Sequence, residues 1–248
     1  MLRQDTKTPR SKVKLFFLTF LFFPSRLFLS TACIVVCYLA LIIINFNKKK
    51  FERSNKIQSV LTRLTLFLCT GVLLTMLGVR ITKMEQKNKI KKTSPYLILS
   101  NHISFLDSFV NLYLYQNTFV CKGELLEYPV VGKLLQSLDA LFLFRTDKNS
   151  KSAVLDKIGD RAKSVDIPLL IYPEGTVSNG NGLLELKKGI FVNNNHLLVS
   201  ILKYKSEYDV MLDYYGQATA LLGILCNWGV EVEVTSWWVE GREGTDWK

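Results

Sequence analysis

Histidine is nearly missing from this chain, with two residues in 248, His102 and His196. Two distant histidines among scattered acids do not make a metal-ligand cluster, so no metal site is expected. Cysteine is sparse as well: Cys33, Cys37 and Cys69 lie inside apolar stretches, and Cys121 and Cys226 stand far apart. No Cys-x2-Cys pair occurs, which argues against a zinc ribbon, a redox motif and a disulfide framework and leaves buried thiols. No internal repeat or low-complexity segment is present. Acidic residues are outnumbered, 21 against 32 basic, for a net charge of +11. The basic residues do not interleave with aromatic platforms, so nucleic acid is not an expected partner.

They cluster beside apolar runs instead: five in the first 14 residues, six between 47 and 63, six between 80 and 92. Charge is absent from Leu27 to Phe46, a 20-residue stretch long enough to cross a bilayer as a helix. Leu64 to Val79 is also uncharged but shorter, and suits a short span, half of a re-entrant hairpin or a buried helix. The run Leu15 to Phe23 is too short to span and meets Pro24, which predicts an interfacial segment. A cleaved signal peptide is the competing reading of this start, although the following span would still anchor the chain. Residues 1–92 therefore read as an N-terminal membrane region, with transmembrane helix 27–46 and a second embedded segment 64–79. The positive-inside rule puts the remainder, 93–248, in the cytosol.

From residue 93 the pattern changes to alternating strand and helix. Strands are predicted at Pro95–Ser100, ending near Val120–Cys121, at Ala140–Phe144, Ile167–Tyr172, Leu197–Tyr204 and Val230–Val234. Helices are predicted at Phe105–Tyr115, Val130–Leu138 and Lys151–Ser164, with a loose tail from Glu240. The fold class this implies is α/β: a mixed, largely parallel sheet flanked by helices, preceded by the membrane-embedded helical region. His102, Arg145 and Glu174 each follow an apolar strand, and strand ends are where sites gather in such sheets. His196 falls after Asn193-Asn194-Asn195 and is expected to be a surface loop residue.

His102 also stands five residues before Asp107. On a regular helix that spacing sets two residues about 140° apart, so a bend is required. Ser104 as an N-cap would leave His102 in the preceding turn and Asp107 in the first helical turn, from which the carboxylate reaches back to the imidazole.

The ordered set Asn101-His102-x4-Asp107, Lys122-x-Glu124-Leu125 with Pro129 and Gly132, Leu143-Phe144-Arg145, Pro173-Glu174-Gly175-Thr176 and Lys188-Gly189-Ile190-Phe191 resembles the glycerolipid acyltransferase family. The resemblance covers roughly residues 93–204 and implies transfer of an acyl group from acyl-CoA, a co-substrate, with no cofactor. It implies His102 as general base and Asp107 as its orienting acid, with Arg145 pairing a substrate phosphate. Glu174, Gly175, Thr176 and Lys122 are implied in substrate binding. Val177 replaces an arginine common in members that acylate glycerol phosphate or lysophosphatidate. With Ser178-Asn179 it brings the chain nearer the lysophosphatidylcholine acyltransferase-like branch. Val199 replaces a usual proline. The expected activity is acylation of the free hydroxyl of a lysophospholipid in phospholipid synthesis or remodelling, in the endoplasmic reticulum if the chain is eukaryotic. The alternatives are 1-acylglycerol-3-phosphate acylation to phosphatidate, or a membrane-anchored scaffold of the same fold without turnover.

Overall fold

The structure is a computed structural model that describes residues 9–49, 52–88, 96–144, 156–161, 167–178, 180, 182, 184–187, 196–206, 210 and 217–240. Two long helices come first, α1 (Pro9–Ile44) and α2 (Lys56–Met76). They lead into β1 (Val79–Gln86), β2 (Tyr96–Ser100), α3 (Leu106–Tyr115), β3 (Thr118–Lys122), a 3-10 turn at Gly123–Glu127, α4 (Pro129–Ser137), β4 (Leu141–Leu143) and β5 (Leu169–Ile171). A helical segment at 156–161 precedes β5, and β6 (His196–Ser206), α5 (Gln217–Cys226) and β7 (Val230–Val239) complete the order.

The seven strands form one sheet in the order β1-β7-β6-β2-β5-β3-β4. Strands β2 to β6 are mutually parallel, β7 runs antiparallel to β6, and β1 is parallel to β7. The expected mixed, largely parallel sheet is what the chain forms. Helices cover both faces, and for that reason β2 is an unbroken apolar run. Leu97 and Leu99 meet Ile158 on one side; Ile98 joins Leu112, Leu135 and, from the N-terminal helices, Leu41 and Leu66 on the other.

The sheet corrects three readings of the sequence. β1 pairs with β7 from Val79 onward, so the α/β unit takes in residues placed in the membrane region and does not begin at 93. Its residues are mostly exposed and polar, a pattern that looks like membrane-flanking charge until the partner strand is known. Next, α1 does not break at Pro24 but runs through it. Ser25 Oγ donates to the Leu21 and Phe22 carbonyls, taking up backbone acceptors beside the missing proline N–H. Finally, His196 opens β6 opposite Tyr96 and is half-buried, not a surface loop residue.

α2 starts earlier than its uncharged core because Asn55 and Gln58 form a capping box, each side chain accepting from the other's backbone N–H at 2.9 and 3.1 Å. It ends before Val79 because Gly78 takes φ +72°, the left-handed stop that suits glycine.

Both N-terminal helices are apolar and long enough to cross a membrane, over Thr19–Ile44 (mean hydropathy 2.8) and Lys56–Met76 (mean hydropathy 1.7). Yet α1 is fastened to the α/β unit at two points. Buried Arg26 donates to the carbonyls of Leu225, Asn227 and Trp228 at the C-terminal end of α5. Just past the other end, Lys48 Nζ meets Asp139 Oδ1 at 2.5 Å, the Gln136 carbonyl at 2.6 Å and Ser54 Oγ at 2.8 Å. The segment between lies along the domain. Its outward side, with Phe28, Val36, Leu39 and Ile43, stays exposed, as do Ile57, Leu64 and Leu68 of α2.

Candidate active site

The turn from β2 into α3 carries the histidine. Asn101 fixes its start: its side chain donates to the Leu202 carbonyl at 3.0 Å and accepts from the Leu202 N–H at 2.9 Å, stitching the turn to β6. Asp107 fixes its end. Fully buried in the first turn of α3, its Oδ2 accepts from the N–H groups of Ile103 at 2.6 Å and Ser104 at 2.8 Å, and from His102 Nδ1 at 2.9 Å. The helix N-cap is Phe105, not Ser104. Ser104 Oγ instead donates to the Val210 carbonyl at 2.7 Å and accepts from the Leu106 N–H at 3.3 Å. Ser104 thus still serves a helix-start N–H from one position before the N-cap, while Asp107 holds the bend through the N–H groups of the preceding turn and grips the imidazole with the same carboxylate.

An ionised carboxylate only accepts, so His102 Nδ1 carries the hydrogen and Nε2 of the neutral ring keeps its lone pair. The ring is held face-on too, stacked on Tyr172 with centroids 4.0 Å apart and planes 12° apart. Tyr172 OH shares a 3.2 Å hydrogen bond with Ser108 Oγ. On the far side of the carboxylate, Tyr204 OH donates to Asp107 Oδ1 at 2.7 Å. Burial, and then the nearby Asp107 charge, push the Tyr172 and Tyr204 hydroxyls above the ordinary tyrosine range, so both keep their protons.

The loop after β5 is tied to the same turn, with the Ser178 N–H donating to the His102 carbonyl at 2.8 Å. Gly175 turns it at φ +67°. A Cβ there would meet only Lys187 at 3.5 Å, so the glycine answers a left-handed turn and not a tight approach. Glu174 is buried and accepts from the Leu184 N–H at 3.3 Å, while the Lys187 N–H donates to the Pro173 carbonyl at 2.9 Å. These bonds hold residues 184–187 against the loop. Thr176 is exposed, and so is Lys122 at the end of β3. Because β5 lies between β2 and β3, the His102 turn, the Glu174 loop and Lys122 follow the C-terminal ends of three adjacent strands.

Arg145, Lys188, Gly189, Ile190 and Phe191 lie outside the described residues. Phe144, next to Arg145, packs where a Cβ on Gly123 would be, 2.4 Å away, so the chain leading to the arginine runs beside the residue after Lys122. Asn101 was named from sequence only as the first residue of Asn101-His102-x4-Asp107, with no role, and the two tyrosines Tyr172 and Tyr204 were not singled out. Only Tyr172 had a signal, adjoining Pro173-Glu174-Gly175-Thr176 at the end of an apolar run.

A family model described as Acyltransferase matches residues 81–202, a span that contains the dyad, Lys122 and the Glu174 loop. Residues 81–202 thus form a domain of the acyltransferase family. Among similar acyltransferases, the lysophosphatidylcholine acyltransferase of Drosophila melanogaster is 30% identical over 128 residues, 51% of this chain and 24% of that protein. The lysophospholipid acyltransferase LPCAT4 of Xenopus tropicalis is 26% identical over 200 residues, covering 79% of this chain and 38% of the relative. Lysophosphatidylcholine acyltransferase 1 of Homo sapiens is 23% identical over 232 residues, covering 90% and 43%. This chain thus spans less than half the length of each of these relatives. Its fold is shared with a solved structure, the 1-acyl-sn-glycerophosphate acyltransferase PlsC of Thermotoga maritima, at a TM-score of 0.63 and 19% identity over 95% of this chain and 88% of that one.

Proposed function

We propose that this acyltransferase moves a fatty acyl group from acyl-CoA to the free hydroxyl of a lysophospholipid, with His102 as general base. The observation that carries this reading is the His102–Asp107 pair at 2.9 Å, which leaves Nε2 free to accept a proton. An alcohol attacks a thioester poorly until its proton leaves as the bond forms. Nε2 takes that proton, the alcohol oxygen bonds to the thioester carbonyl carbon, and Asp107 steadies the imidazolium. Collapse breaks the carbon–sulfur bond, and the imidazolium returns the proton to the departing CoA sulfur. The substrate hydroxyl occupies the place a serine holds in a hydrolase triad, so no acyl-enzyme is needed.

In this reading Arg145 pairs a substrate phosphate, and Lys122, Glu174, Gly175 and Thr176 take part in holding the substrates. A lysophospholipid acceptor is supported by the names of the similar proteins, which are lysophospholipid and lysophosphatidylcholine acyltransferases, and by Val177. The test is purified protein with acyl-CoA and an equimolar panel of lysophosphatidylcholine, lysophosphatidylethanolamine and lysophosphatidate, read by mass spectrometry. Diacyl product from a lysophospholipid with an esterified phosphate supports the reading. Product from lysophosphatidate alone would replace it with phosphatidate synthesis, and no product at all would favour the scaffold.

The protein attaches to its membrane through the exposed apolar sides of α1 and α2, with the α/β domain on the cytosolic side. In this reading the docking of α1 to the domain at Arg26 and near Lys48 keeps the transmembrane helix expected at 27–46 close beside the domain. Alkaline carbonate is expected to leave the protein in the membrane pellet. Release into the supernatant would mean attachment by charge alone.

A further inference from the structure

We infer that Tyr204 is a positioning residue for catalysis, acting through Asp107; the inference rests on His102 being the base. Tyr204 lies two residues beyond the segment matched by the family model. It reaches Asp107 from β6, 97 positions along the chain. The other three donors to Asp107, two backbone N–H groups and His102 Nδ1, all come from the carboxylate's own turn and all meet Oδ2. Gripped through one oxygen, a carboxylate can still turn about its Cβ–Cγ bond and carry Oδ2 out of the imidazole plane. The Tyr204 hydroxyl at 2.7 Å on Oδ1 is the fourth donor, and it removes that freedom.

The arrangement is built to be rigid. Asn101 bonds both backbone groups of Leu202, so the dyad turn and β6 keep a fixed register, and Tyr204 lies one side-chain repeat further along the same strand face. The ring is buried in the core with Leu202, Ile103, Leu106 and Val232, which leaves the phenol no alternative orientation. A buried tyrosine needs some partner for its hydroxyl. Here that partner is the carboxylate that holds the base.

Tyr204→Phe keeps the packed ring and deletes the hydroxyl. The expected result is a fall in kcat of about tenfold with the Michaelis constants of both substrates unchanged, since the Tyr204 hydroxyl is buried and spent on Asp107. In an Asp107→Asn background the same change is expected to have no further effect on kcat, because the group it acts through is gone. A structural role alone would lower the melting temperature and leave the kcat per folded molecule intact. Full kcat in Tyr204→Phe, or an equal loss of kcat in the Asp107→Asn background, overturns the inference. A His102→Ala control separates the two levels: an inactive control beside a fully active Tyr204→Phe rejects the tyrosine alone, whereas an active control rejects the base and the tyrosine with it.

Discussion

Alanine at His102 is expected to cut acyl transfer by about 10² to 10⁴-fold, the usual worth of a positioned general base. The protein should remain folded. The imidazole is part-exposed, with 22% of its side chain accessible, and its loss opens no buried cavity, so the melting temperature should move little. Asp107→Asn should lower kcat more than it raises the Michaelis constant of the acceptor, because the carboxylate is fully buried and acts through the ring it orients. It should also cost stability. Oδ2 receives two backbone N–H groups of the turn, and an amide flipped to offer oxygen to them turns its NH2 toward the Tyr204 hydroxyl. Steady-state rates with the melting temperature of each variant check both expectations. A His102→Ala enzyme at near-normal turnover would rule out the base.

Arg26→Leu is expected to be the most destabilising single change at the junction of α1 with the domain, by about 3 kcal/mol, the scale of losing hydrogen bonds to a charged group. The guanidinium serves the carbonyls of Leu225, Asn227 and Trp228, where the backbone of α5 ends and the negative end of its dipole lies. It also fills space that only a glycine leaves: a Cβ on Gly78 would come within 2.7 Å of it. Leucine would satisfy the hydrophobicity of α1 and strand the carbonyls. Thermal unfolding in detergent measures the loss, and an unchanged midpoint would show that the docking contributes nothing to stability. Activity per folded molecule should persist, since the dyad is built from β2, α3 and β6.

How much of this was legible in the sequence differed from element to element. The core strands were readable because helices cover both faces of the sheet, turning β2, β5 and the start of β6 into plain apolar runs. The dyad was readable because a histidine five residues before an acid needs a bend, and a turn into a helix supplies one. The N-cap was misplaced by one position, Phe105 in place of Ser104; the bend itself is held by Asp107, whose carboxylate takes two backbone N–H groups and orients the ring at once. β1 was invisible because an edge strand with one buried residue, Val79, resembles a charged flank. Pro24 suggested a break where tertiary contacts carry the helix through, and Arg26 read as the end of an apolar segment when it is a buried docking group. Tyr204 could not be found from spacing, since its meaning depends on the register of β6 against β2, which Asn101 sets from 101 residues away.

The central claim is direct transfer from acyl-CoA to a lipid hydroxyl at His102, and single-turnover kinetics test it most directly. Enzyme in excess is mixed with acyl-CoA alone, free thiol is followed, and a lysophospholipid is then added. Direct transfer predicts no thiol release before the acceptor arrives and, after it, one CoA for each acylated lipid. A burst of thiol before any acceptor is present, or CoA released without acylated lipid, would contradict it.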